Sequence, residues 1–130
     1  MPQIRHSLLI GILLITFTTL SAQSIQNTAW KAFYRPLTDT ITLYILTDSS
    51  SMISTTGTPL LLSTFKLSGN KITFKDYGGI NACPRDLTGS YHINQIADTL
   101  TLTMDEDPCD SRGDFFLIKK WTRFIPKRGK

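Results

Sequence analysis

The sequence predicts an all-β chain: an eight-stranded antiparallel up-and-down barrel with one disulfide. Three observations carry this. Short runs rich in Thr, Ile, Leu, Phe and Tyr alternate apolar and polar residues with period two, as half-buried strands require. The connections between the runs are too short for helical crossovers, so consecutive runs should pair antiparallel. Eight consecutive strands close most simply on themselves, because closure removes both exposed edges. A two-sheet sandwich is the alternative.

Residues 1–22 fall outside this pattern. "MPQIRHSLLIGILLITFTTLSAQS" opens with Arg5 and His6, continues with an uncharged apolar run from Leu8 to Leu20, and then offers the small residues Ser21 and Ala22. This is the layout of a secretory signal peptide cut after Ala22, which leaves residues 23–130 as one barrel domain in a secreted or periplasmic protein. The apolar run is shorter than the roughly 18 residues a spanning helix needs, so no stable membrane span is expected after cleavage. No cysteine lies near the cut to carry a lipid. Without the leader, 13 basic side chains face 10 acidic ones, and three of the basic ones sit in the tail "FIPKRGK". A short basic tail is normally a solvated end. Nucleic-acid binding, which needs a broad basic face with aromatics among the charges, is not expected.

The strands are expected at Thr28 to Tyr34, Ile41 to Thr47, Ser51 to Thr56, Leu60 to Ser68, Lys71 to Tyr77, Gly89 to Gln95, Thr99 to Asp105 and Phe115 to Ile125. In "TLTLTMD", Leu100, Leu102 and Met104 share one face and the threonines line the other; in "KITFKDY", Ile72 and Phe74 oppose Lys71, Thr73 and Lys75. "SGNK" puts Gly69-Asn70 at a tight hairpin, and "DSSS", "TGTP" and "IADT" mark further turns. Inward positions are expected to include Trp30, Ile72, Phe74, Tyr91, Leu100, Leu102, Leu117 and Trp121. These are bulky for a barrel about 18 Å tall, so a narrow apolar pocket at the mouth, or none, is expected.

In a meander, alternate connections lie at one end. Cys83 lies between the fifth and sixth strands and Cys109 between the seventh and eighth, so both reach the same end. As the only two cysteines of an exported chain, they are expected to form a disulfide.

Little in the chain suggests catalysis. Outside the leader the only histidine is His92, which alternation turns outward with Ser90 and Asn94. No His/Cys cluster for zinc and no G-x-S-x-G occurs. We therefore expect no enzyme and no cofactor. The stretch "DEDPCDSRG" gathers Asp105, Glu106, Asp107 and Asp110 around Cys109. It lacks the glycine and distal glutamate of an EF-hand loop. Alternation puts Asp105 and Asp107 on one face with Glu106 opposite. A solvated, disulfide-pinned hairpin end, with Arg85 or Arg112 offsetting the acids, is expected; a calcium site is the alternative, with Asp76, Arg85 and Asp86 nearby.

Trp30 in "NTAW" on the first strand and Arg123 in "WTRF" on the last give the chain a likeness. With "ACP…GSY…TLTLT…DPC…R…W", it resembles the small secreted bacterial lipocalin-like barrels of the calycin group. The usual glycine two residues before the tryptophan is Thr28 here. A weaker resemblance, through "GGINAC" and "GSY", is to META-type domains. The calycin resemblance implies that Arg123 packs over Trp30 and closes the barrel. It also implies a small apolar or amphipathic ligand, lined by Phe74, Tyr91 and Leu102 with Tyr77 and Arg85 at the rim. The alternative is a filled barrel: a protease inhibitor or envelope-associated scaffold that engages a protein partner through the disulfide-linked loops.

Overall fold

A computed structural model describes residues 24–118 and 120–127; the expected leader, residues 1–22, lies outside them. The strands are β1 (Thr28–Tyr34), β2 (Asp39–Ile45), β3 (Ser49–Ile53), β4 (Pro59–Ser68), β5 (Lys71–Gly78), β6 (Thr88–Ile96), β7 (Thr99–Glu106) and β8 (Trp121–Phe124). A 3-10 turn, Arg35–Leu37, joins β1 to β2, and a short helix α1, Asp110–Phe116, lies between β7 and β8. Each strand pairs antiparallel with the next and β8 returns to β1, closing the expected up-and-down barrel. No helix among the described residues is long and apolar enough to cross a membrane.

Most strands lie where alternation placed them. β2 and β3 each begin two residues early: the turn before β2 closes with the Thr38 N–H donating to the Arg35 carbonyl at 2.9 Å, and the turn before β3 closes with the Leu46 N–H donating to the Ser49 carbonyl at 2.8 Å. The larger correction concerns the expected strand from Phe115 to Ile125. Its first part belongs to α1, and the strand is only Trp121–Phe124. The physical reason is the adjacent pair Phe115-Phe116. In a strand one of these rings would face water; one helical turn buries both, together with Arg112 and Gly113. Leu117, expected to point inward, follows the helix and is 50% exposed. Seven residues are too few for a helix to persist alone, so α1 is held by packing.

The other expected inward residues, Trp30, Ile72, Phe74, Tyr91, Leu100, Leu102 and Trp121, are all buried, joined by Ile41, Leu43, Met52 and Phe65. Trp30 lies opposite Leu43 on β2 and Arg123 on β8, and the guanidinium carbon of Arg123 sits 5.4 Å from the indole centroid, within cation–π range. Thr28, standing where the resemblance expects glycine, accepts the Trp30 indole N–H at 2.8 Å and donates its own hydroxyl to the Ile25 carbonyl.

The topology defines two ends. The β1–β2, β3–β4, β5–β6 and β7–β8 connections form one, with α1 tucked inside it. There Phe116 stacks on Phe74 at 4.3 Å and 17°, and Phe115 lies 4.7 Å from Tyr34. The other end carries the remaining three turns and the segment before β1, whose Ile25 is buried in the core. Burying two phenylalanines contributes about 1.5–3 kcal/mol each, enough to keep the helix in the mouth.

Candidate functional site

The disulfide end is built around one buried arginine. Pro108 ends β7, and the Asp107 carboxylate accepts the Cys109 N–H at 2.9 Å, turning the chain into α1. One turn later Arg112 points back. Its Nε donates to Asp107 Oδ2 and its Nη2 to Oδ1, both at 2.8 Å, in the two-pronged geometry that makes guanidinium–carboxylate pairs strong. Nη2 also donates to the Leu87 carbonyl at 3.2 Å, and Nη1 lies 3.2 Å from Asp76 Oδ1, close enough to pair charges though not aligned as a hydrogen bond. Asp76 in turn accepts the Ser63 hydroxyl at 2.6 Å and the Cys83 N–H at 2.8 Å. Tyr91 donates its hydroxyl to Asp107. The side chains of Asp76, Asp107 and Arg112 are wholly buried.

Burial alone would push the Asp107 carboxyl up. Hydrogen bonds from Arg112, Tyr91 and the Cys109 N–H outweigh it and hold the group below the usual carboxylate range. Burial, then the bond to Asp107, raises the Tyr91 hydroxyl well above its ordinary value. Desolvation would lower Arg112, but its two carboxylate neighbours raise it.

The acidic stretch does not converge. Asp105 faces outward, with Lys71 Nζ at 3.0 Å and His92 Nε2 at 3.7 Å; its hydrogen bond from Lys71 holds the carboxyl below its usual range. Asp107 faces inward, so the expectation that these two share a face fails. The cause is a β-bulge: Tyr91 pairs with Met104 and Ser90 with Glu106, so Asp105 is one residue too many and every later side chain changes face. Asp105, Glu106 and Asp110 are exposed, as a solvated hairpin end requires, but that expectation fails for Asp107 and Arg112, whose side chains are wholly buried. Arg112 offsets the acids; Arg85 is exposed and does not. Among the described residues no group of three His, Cys, Asp or Glu side chains is placed to hold a metal ion.

The Cys83–Cys109 bridge forms as expected, with Cα atoms 6.0 Å apart. It ties the β5–β6 connection to the residue before α1. Ser111 reinforces the tie by donating to the Asn81 carbonyl at 3.1 Å.

The five residues expected to line a ligand are not brought together. Phe74, Tyr91 and Leu102 are packed in the core, with Phe116 lying 5.0 Å from Tyr91 as well as on Phe74. Tyr77 and Arg85 border a shallow outer groove with Thr64 and Lys75. Sequence reasoning missed Arg112 as the centre of the end and Phe115-Phe116 as its plug. The one signal the sequence offers is the adjacent pair Phe115-Phe116, which breaks the period-two alternation of a half-buried strand.

Gly89 is where this arrangement is tightest. A Cβ there would lie 2.2 Å from Asp107 Oδ2 and 2.9 Å from Arg112 Nε. Gly89→Ala is expected to cost about 1–3 kcal/mol by forcing the pair aside. A lowered urea midpoint with an unchanged slope checks it; an unshifted midpoint means the network yields freely.

No protein-family model, no curated protein and no solved structure matches the chain.

Proposed function

We propose that the chain is a secreted or periplasmic, non-enzymatic, lipocalin-like module that engages a protein partner through its disulfide-tied end. The observation that carries this reading is the occupied mouth. Where a carrier would hold its ligand, α1 places Phe116 against Phe74 and Tyr91. The same end exposes large apolar side chains: Ile80 is 72% exposed, and Leu37, Tyr77 and Leu117 about half. Apolar side chains held on loops tied by a disulfide and a buried ion pair suit docking, because little entropy is lost in ordering them. The bridge itself is compatible with an oxidising compartment.

The test places a photo-crosslinking residue at position 80 or 117 in the exported protein, with position 46, in the exposed β2–β3 turn at the other end, as control. One saturable partner captured at the first two positions, and lost with Ile80→Asp or Leu117→Asp at the other, supports the reading. A stoichiometric small molecule in the native mass spectrum, released on denaturation, overturns it in favour of a carrier. The same denatured mass, two hydrogens below the reduced value, reports the bridge.

A further inference from the structure

The opposite end of the barrel carries a cleft of about 500 Å³, whose lining includes Ile25, Leu67, Asn70, Ile93 and Gln95. We propose that this cleft binds a short, uncharged, extended peptide or peptide-like amide, which pairs with the end of β6 as an added strand.

The cleft exists because β6 overruns its neighbour. The β5–β6 ladder stops at Lys71 opposite His92, and one further bond follows, from the Ile93 N–H to the Asn70 carbonyl at 2.7 Å. β6 then continues to Ile96, still paired with β7 on its other side: Asn94 with Thr101, Gln95 with Leu100 and Ile96 with Thr99. Backbone groups of an antiparallel strand alternate sides, so the Gln95 N–H and C=O point the same way as the Ile93 N–H, into the cleft. No described residue pairs with them. An N–H and a C=O side by side on a strand edge match the C=O and N–H of another extended chain.

Gln95 supplies a second, independent feature. It lines the cleft, and its side-chain Oε1 is buried with no hydrogen-bond partner among the described residues. A buried acceptor without a donor is unusual in folded proteins, and a ligand N–H would satisfy it. The walls explain the charge preference. Ile25, Leu67 and Ile93 are apolar, and none of the described lining residues is ionisable, so the described walls offer a charged ligand no side-chain partner. The volume lies within the range of small-molecule sites, so two to four residues of extended chain are the natural occupant.

The probe is N-acetyl-Leu-Ala N-methylamide, titrated into the isotopically labelled exported protein and followed by amide chemical shifts. Saturable one-to-one shifts centred on Leu67, Asn70 and Ile93 to Ala97 are expected. The ester analogue, whose central N–H is replaced by oxygen, is expected to bind at least about fivefold more weakly, because it leaves an acceptor unpaired. Gln95→Leu is expected to weaken the amide probe while leaving the melting temperature unchanged or higher. No shifts at millimolar probe overturn the proposal, as does equal binding of amide and ester, or of a free, charged dipeptide. If Gln95→Leu fails to fold, the ester comparison still decides.

Discussion

Arg112→Ala is expected to remove about 3–5 kcal/mol of stability, because it leaves two wholly buried carboxylates, Asp76 and Asp107, without their cation. A domain of this size has roughly 5–15 kcal/mol in total, so the variant should sit near the edge of folding at 25 °C. Three effects add. The two-pronged bond to Asp107 is lost, the Leu87 carbonyl loses its donor, and α1 loses its deepest anchor in the mouth. Urea unfolding followed by tryptophan fluorescence measures the cost, since Trp30 and Trp121 are both fully buried. The companion Arg112→Met, Asp76→Asn, Asp107→Asn tests the cause. Neutralising the whole cluster removes the unpaired charges, so this triple variant should regain most of the loss. A cost below about 1 kcal/mol for Arg112→Ala, the level of an exposed pair, would mean the network is solvated in solution.

The pH profile tests the same cluster. The Asp107 carboxyl is held below its unfolded value, so at acid pH the unfolded chain binds the proton more readily. The stability it contributes is present above about pH 4 and is lost as pH falls through the lowered native value. Tyr91 has the opposite sense. Its hydroxyl is raised, so its contribution is full below about pH 10 and declines at higher pH, where the unfolded chain ionises first. Unfolding free energies measured from pH 2 to 11 should therefore fall at both extremes. Asp107→Asn should flatten the acid limb and Tyr91→Phe the alkaline one. Limbs that keep their slopes in these variants would assign the titration to other groups.

The legible and illegible parts of this chain differ for one physical reason. Leu100, Leu102 and Met104 announced a strand because period two is local: it needs no knowledge of what lies opposite. The bridge was legible because two cysteines leave one pairing and the meander sends both to one end. The bulge at Asp105 was not legible, since it depends on how β6 and β7 slide past each other. Missing it put Asp107 on the wrong face. Arg112 carries no local mark either: arginine is usually solvated, and its burial requires Asp76 from β5, Asp107 after β7 and Tyr91 from β6 to meet. The cleft at the other end is likewise a matter of two hairpins of unequal reach, visible only once the β5–β6 ladder is seen to stop at His92. Local pattern placed the wall of the barrel; non-local meetings made its two ends.

Cys83→Ser with Cys109→Ser is expected to cost about 3.5 kcal/mol by loop-closure entropy for a separation of 26 residues. That figure concerns the unfolded chain and would be the same wherever the bridge lay. The structure adds a local effect, because Cys109 is the residue before α1 and the helix is too short to stand alone. Without the bridge, α1 is left to the bonds of Arg112, the ring contacts of Phe115 and Phe116, and the Ser111 contact. Hydrogen exchange separates the two effects. If the bridge acts on the unfolded chain alone, protection should fall by the same energy in β4, β6 and α1. We expect a larger loss in α1 and the β5–β6 connection, since the mouth can then open without the wall unfolding. The two anchors also hold one helix, so their losses should not simply add. In a double-mutant cycle, Arg112→Ala should cost less in the chain without the bridge, where α1 already opens. Additive losses would show that α1 stays seated after the bridge is removed, and that the bridge acts through the unfolded chain alone.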